Sequence, residues 1–120
     1  MAIRKVLVAD DSSTDLKNME QICSGAGYQV ITAVSGKEAV AKAKAERPDA
    51  VVLDVIMPEM NGFQACRAIT SDAATKNIPV ILVSSKGEKT DKLWGQEQGA
   101  RGYVTKPFTS DDLLKELRAL

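Results

Sequence analysis

The sequence predicts one α/β domain: a doubly wound parallel sheet of five strands flanked by five helices. Apolar runs alternate with helical patterns along the whole chain, as they do in successive βαβ units. Three of those runs, Val6-Leu7-Val8, Val51-Val52-Leu53 and Val80-Ile81-Leu82-Val83, carry no polar residue, which suits strands covered on both faces. The chain has 120 residues, 44% of them hydrophobic, enough for a single core and too few for a second domain.

Each element follows from local chemistry. Ile3–Ala9, rich in Val and Ile, is the first strand. Ser12–Gly25 is the first helix, with Leu16, Met19, Ile22 and Cys23 on one face. Tyr28–Ala33 is a second strand of mixed polarity, which suits a sheet edge. Ser35 to Glu46 is the second helix. Ser35 and Glu38 stand at capping-box spacing, and Ala39, Val40 and Ala43 form its apolar stripe. Pro48 stops that helix, and Ala50–Leu53 is the third strand. Gly62–Thr70 is a helix with Phe63, Cys66 and Ile69 at spacing three. Ile78–Val83 is the fourth strand and Glu88–Gln98 a weakly patterned fourth helix. Gly102–Thr105 is a short fifth strand. Thr109 or Ser110 caps a last helix through Leu120, with Leu113, Leu114 and Leu117 facing in. The expectation is that this helix is the last element, with no output domain after it.

Composition removes several function classes. Lys plus Arg and Asp plus Glu are both 16, so net charge is zero and a basic footprint for nucleic acid is missing. Histidine is absent, which excludes histidine general bases, histidine-dependent triads and histidine metal ligands. Cys23 and Cys66 lie far apart, without the spacing of a zinc site or a disulfide framework. No apolar run approaches the ~20 residues of a membrane span, and the start lacks the pattern of a secretory signal. These readings predict a cytoplasmic protein that binds neither nucleic acid nor membrane.

Ligands of an open α/β sheet bind beyond the carboxyl ends of its strands. Asp10 and Asp11 follow the first strand, and Asp54 ends the third. Ser84 and Ser85 follow the fourth, and Lys106, then Pro107, follow the fifth. Two carboxylates ~5 Å apart repel by ~3 kcal/mol at an effective dielectric near 20. Raised pKa values or a bound cation relieve that repulsion. An oxygen-only set favours a hard cation, for which magnesium is the natural choice. Acid, divalent cation, hydroxyl and lysine together suit a phosphoryl group.

These residues, with Met57-Pro58, Gly62 and Lys106-Pro107-Phe108, make the chain resemble the receiver domain of two-component response regulators over essentially its whole length. The stretch Thr90–Ala100 is similar to single-domain regulators of twitching-motility, type IV pilus chemosensory systems. The resemblance implies a chemotaxis-regulator-like, flavodoxin-like fold with strand order 2-1-3-4-5. It makes Asp54 the phosphoacceptor for a sensor histidine kinase. It implies a magnesium (or manganese) site of Asp10, Asp11, Asp54 and the backbone carbonyl of Ile56, with Asp10 acting mainly through water. It gives Ser84 and Lys106 the phosphoryl oxygens, and expects a cis peptide bond before Pro107. Tyr103 falls at the aromatic switch position. Lys92, Tyr103 and Phe108 mark an output surface of helix four, strand five and helix five, which would bind a partner protein.

Each of these residues has an ordinary alternative. The acidic pair also suits a helix N-terminus, Ser84 could simply cap helix four, and Tyr103 could simply pack at the sheet edge. Ser85 departs slightly from the Ala or other small residue usual at its position in the family that the chain resembles. The resemblance implies that Ile56 and Lys86 fall at two variable positions that flank the entrance and tune dephosphorylation, and apolar Ile56 then predicts a long-lived phosphoryl group. Trp94 is read as partly buried packing or a partner contact, and Cys23 and Cys66 as core. The expectation is a monomeric phosphorylation switch, not an enzyme on an external metabolite, that catalyses its own phosphotransfer and autodephosphorylation. A phosphate sink for a shared kinase is the nearest alternative. A metal-dependent phosphohydrolase is disfavoured because Asp10-Asp11 are adjacent and not Asp-x-Asp, and a nucleotide or flavin module because no glycine-rich phosphate loop follows the first strand.

Overall fold

In a computed structural model, which describes residues 2–120, the elements run β1 (Lys5–Ala9), α1 (Ser13–Gly25), β2 (Gln29–Ala33), α2 (Gly36–Glu46), β3 (Ala50–Asp54), α3 (Gly62–Ser71), β4 (Val80–Ser84), α4 (Lys89–Glu97), β5 (Gly102–Thr105) and α5 (Ser110–Arg118). All sheet pairings are parallel, in the order β2-β1-β3-β4-β5. The three wholly apolar runs are the three central strands, and the mixed strand is an edge.

Side chains alternate across the sheet and build two cores. Val6, Val8, Val52, Ile81 and Val83 pack with Met19 and Cys23 of α1 and with Leu113, Leu114 and Leu117 of α5. Leu7, Val51, Leu53 and Leu82 face the other way, onto Ala39 and Ala43 of α2 and Ala65, Cys66 and Ile69 of α3. A strand with a core on each side tolerates no polar position, hence the uninterrupted runs. Both cysteine thiols are buried, and burial pushes them up to about 11 for Cys23 and about 12 for Cys66.

The edges of several elements shift by a few residues from the sequence expectation, each for a local reason. The first strand starts at Lys5 and not at Ile3, where the Asp49 carboxylate accepts the N–H groups of Arg4 and Lys5, both at 2.9 Å. The fourth starts after Pro79, whose ring leaves no N–H for a ladder. The capping box expected at Ser35 and Glu38 forms only in half. Ser35 Oγ accepts the Glu38 N–H at 3.0 Å, but the Glu38 carboxylate pairs with Lys42 instead. Asn61 with Gln64, and Thr109 with Asp112, complete such boxes on α3 and α5.

The two N–H bonds hold the Asp49 carboxyl below its ordinary range. A depressed carboxyl stabilises the fold above its unfolded pKa and loses that contribution as pH falls. Asp49→Ala is therefore expected to cost about 1–2 kcal/mol at neutral pH. In urea unfolding the gap to wild type narrows on acidification to about pH 3. A gap of constant size would contradict this role. Among the described residues, no helix is long and apolar enough to cross a membrane.

Candidate functional site

The strand register brings the chemistry together. Ala9 lies beside Leu53, Asp54 beside Val83 and Ser84 beside Thr105, so the carboxyl ends of β1, β3, β4 and β5 form one rim. Asp10, Asp11 and Asp54 each place a carboxylate oxygen there, all within 4.8 Å of one another. Asp10 and Asp54 are buried while Asp11 is exposed. Lys106 reaches in from the end of β5, its Nζ 2.9 Å from Asp54 Oδ1 and 3.2 Å from Asp10 Oδ2.

Burial pushes the Asp54 carboxyl up to about 6, and the charges of Asp10 and Asp11 add to the push against the Lys106 hydrogen bond. Burial likewise raises Asp10, against the Ser12 N–H and Lys106. For Lys106, burial favours the neutral form, but hydrogen bonds to Asp54 and Asp15 outweigh it and the ammonium is raised. The two directions are compatible: Lys106 faces three carboxylates, whereas Asp54 faces one ammonium and two like charges. One ammonium leaves this cluster short of positive charge. Oxygen-only donors, a charge deficit and an exposed third carboxylate fit a hard divalent cation.

Backbone packing fixes the acidic rim. Gly62 opens α3 against the end of β3, where an added Cβ would stand 2.3 Å from the Asp54 carbonyl oxygen. The Gly62 N–H donates to the Val55 carbonyl at 2.8 Å.

On the β4 side, Ser84 is buried and its Oγ accepts the Lys86 N–H at 3.0 Å. The Tyr103 hydroxyl donates to the Lys86 carbonyl. A loop of two residues thus joins the strand-end hydroxyl to the aromatic ring. The peptide bond between Lys106 and Pro107 is cis.

The response regulator receiver domain model matches residues 6–118. This chain belongs to that family. The receiver is 46% identical to Protein PilH of Pseudomonas aeruginosa over 116 residues, which are 97% of this chain and 96% of PilH. Among solved structures it is similar to the chemotaxis protein CheY4 of Vibrio cholerae, with 36% identity, a TM-score of 0.91 and 98% of each chain covered. It is also similar to a chain of the CheX-CheY-BeF3-Mg+2 complex of Borrelia burgdorferi, with 32% identity, a TM-score of 0.91, and 97% of this chain and 87% of that one covered.

The structure divides the residues expected on one output surface. In the receiver, Lys92 and Tyr103 line a groove of about 380 Å³ together with Asp112, Lys115 and Glu116. Phe108 is not on it. It packs against the α1 and α5 core and lines a second cavity of about 350 Å³ with Asp15, Asn18, Lys106 and Pro107. Tyr103 packs against the other core, so the two rings lie on opposite faces of the sheet. Trp94 is 51% exposed and meets Phe63 edge to face, with ring centroids 6.5 Å apart; it is both a packing residue and an exposed surface.

Asp15 is the residue the sequence reading missed at the rim. Its Oδ2 lies 3.0 Å from Lys106 Nζ. In the sequence it reads as ordinary acid in a first helical turn, and the only available signal was its spacing of three from Ser12, which would have suggested a cap.

Proposed function

We propose that this receiver is a phosphorylation-activated switch whose phosphoacceptor is Asp54. The observation that carries the reading is a buried carboxylate at the end of β3, held at 2.9 Å from an ammonium and grouped with two further carboxylates. An oxygen of Asp54 forms a bond to phosphorus as the phosphorus–nitrogen bond of a sensor kinase's phosphohistidine breaks. The electron pair leaves on the imidazole, which takes up a proton. This is covalent catalysis by a carboxylate.

Asp10, Asp11, Asp54 and the Ile56 carbonyl would hold Mg2+ or Mn2+, which supplies positive charge for the carboxylates and the phosphoryl oxygens. Lys106 neutralises phosphoryl charge on the opposite side. Ser84 turns its hydroxyl to a phosphoryl oxygen, and the Ser84–Lys86–Tyr103 connection carries that movement to the α4–β5–α5 groove, where an output protein binds. The receiver thus promotes its own phosphotransfer and dephosphorylation and turns over no separate metabolite. Its full-length similarity to PilH supports a place in a motility or pilus chemosensory pathway.

Trp94 on α4 reports the switch. Acetyl phosphate with magnesium is expected to change its fluorescence in wild type and leave Asp54→Asn unchanged. Ser84→Ala should still take up the phosphoryl group but lose most of the fluorescence change. An equal response from Asp54→Asn would refute the reading.

The Ile56 side chain is 54% exposed at the entrance and has no polar atom to orient water. Ile56→Asn is expected to shorten the acyl-phosphate half-life severalfold, and an unchanged half-life would remove Ile56 from the control of dephosphorylation.

A further inference from the structure

Asp15 turns its carboxylate away from its own helix end, as Glu38 does on α2, but toward the rim and not toward its own helix. On α3 and α5 the residue three past the N-cap returns its side chain to the N-cap N–H. On α1 the Ser12 side chain accepts the Asp15 N–H at 3.3 Å, yet the Asp15 carboxylate does not reciprocate. The Ser12 N–H goes to Asp10 Oδ1 at 2.9 Å, and Asp15 reaches across to Lys106.

Lys106 is thereby shared among three carboxylates. An ammonium has three donors, and these face Asp54 Oδ1 at 2.9 Å, Asp15 Oδ2 at 3.0 Å and Asp10 Oδ2 at 3.2 Å. Resting on the reading of Asp54 as phosphoacceptor, a phosphoryl group on Asp54 draws Lys106 toward its oxygens, and the other two carboxylates, Asp10 and Asp15, compete for the same ammonium. Asp10 is 1% exposed and would be left buried without its cation; Asp15 is 49% exposed and returns to water at little cost.

We infer that Asp15 is a positioning residue that competes with the phosphoryl group for Lys106 and so holds the receiver toward its unphosphorylated state. Its carboxylate also adds a like charge beside a site that must accept a group of charge near −2. A neutral side chain at this position removes both the competitor and the repulsion.

The test is the fraction of receiver phosphorylated, read by intact mass over a series of acetyl phosphate concentrations at saturating magnesium. Asp15→Asn and Asp15→Ala are expected to reach half-occupancy at about threefold lower acetyl phosphate than wild type, the size of a partly exposed ion pair. Asp15→Glu, which keeps the charge, is expected to stay near wild type. A residue that merely supported the fold would shift the neutral variants the other way, toward lower occupancy. Equal or lower occupancy in both neutral variants, with wild type phosphorylated normally, overturns the role of Asp15 alone. No phosphorylation of wild type overturns the reading of the site beneath it.

Discussion

Lys106→Ala is expected to destabilise the receiver by about 3 kcal/mol, the low end of the range for removing one partner of a buried ion pair. The low end applies because the Lys106 side chain is 21% exposed, so water screens part of the loss. The cost arises from what remains: Asp10 and Asp54, both buried, keep their mutual repulsion and lose their ammonium. Asp54→Asn added to Lys106→Ala is therefore expected to recover much of the loss. A double-mutant cycle by urea unfolding without divalent cation measures this coupling.

The pH dependence follows the same logic. The raised Lys106 ammonium contributes fully at every pH below the ordinary lysine range, so it adds no slope near neutrality. The deficit of the variant begins to close as the solution is acidified, once Asp54 and Asp10 take up protons. A deficit below about 1 kcal/mol, the size of a surface pair, or no recovery in the double variant, would contradict the charge balance described above.

Gly62→Ala is expected to cost about 3 kcal/mol, the upper part of the usual range for overpacking. Its Cβ would lie 2.3 Å from the Asp54 carbonyl oxygen and 2.7 Å from the Val55 Cα. Both are backbone atoms of the end of β3 and the turn after it, so relief requires moving the strand end that carries Asp54. The variant is expected to lose stability and to take up phosphoryl more slowly although every polar side chain at the rim is intact. Gly25→Ala is the control. Beyond its chain neighbours and its own helix backbone, no atom lies within 4 Å of a Cβ there, so that change is expected to be neutral or slightly stabilising. Wild-type stability for Gly62→Ala would contradict the close approach of α3 to β3.

The sheet was legible because its pattern is determined by double coverage. Strands buried on both faces cannot carry polar positions, and β1, β3 and β4 show this without exception up to their ends. The candidate site was legible for the same reason in reverse: Asp10, Asp54 and Ser84 are the first polar residues after such runs, and Lys106 follows the short edge strand β5. What stayed hidden depends on rotamers and on approach between distant segments. Asp15 is separated from Lys106 by 91 residues, and only the fold reveals that its carboxylate leaves its own helix end. Phe108 lies only a few residues past the end of β5, but nothing in the sequence says that the chain carries it to the α1 side of the sheet. The Tyr103 bond to a carbonyl in the loop after β4 is hidden for the same reason.

The most direct test of Asp54 as phosphoacceptor is intact mass after incubation with acetyl phosphate, with and without magnesium, on wild type and Asp54→Asn. The account predicts that wild type gains one phosphoryl group, about 80 Da, only when magnesium is present, and that Asp54→Asn gains none. The same gain in Asp54→Asn, or a gain in wild type that ignores magnesium, would contradict it.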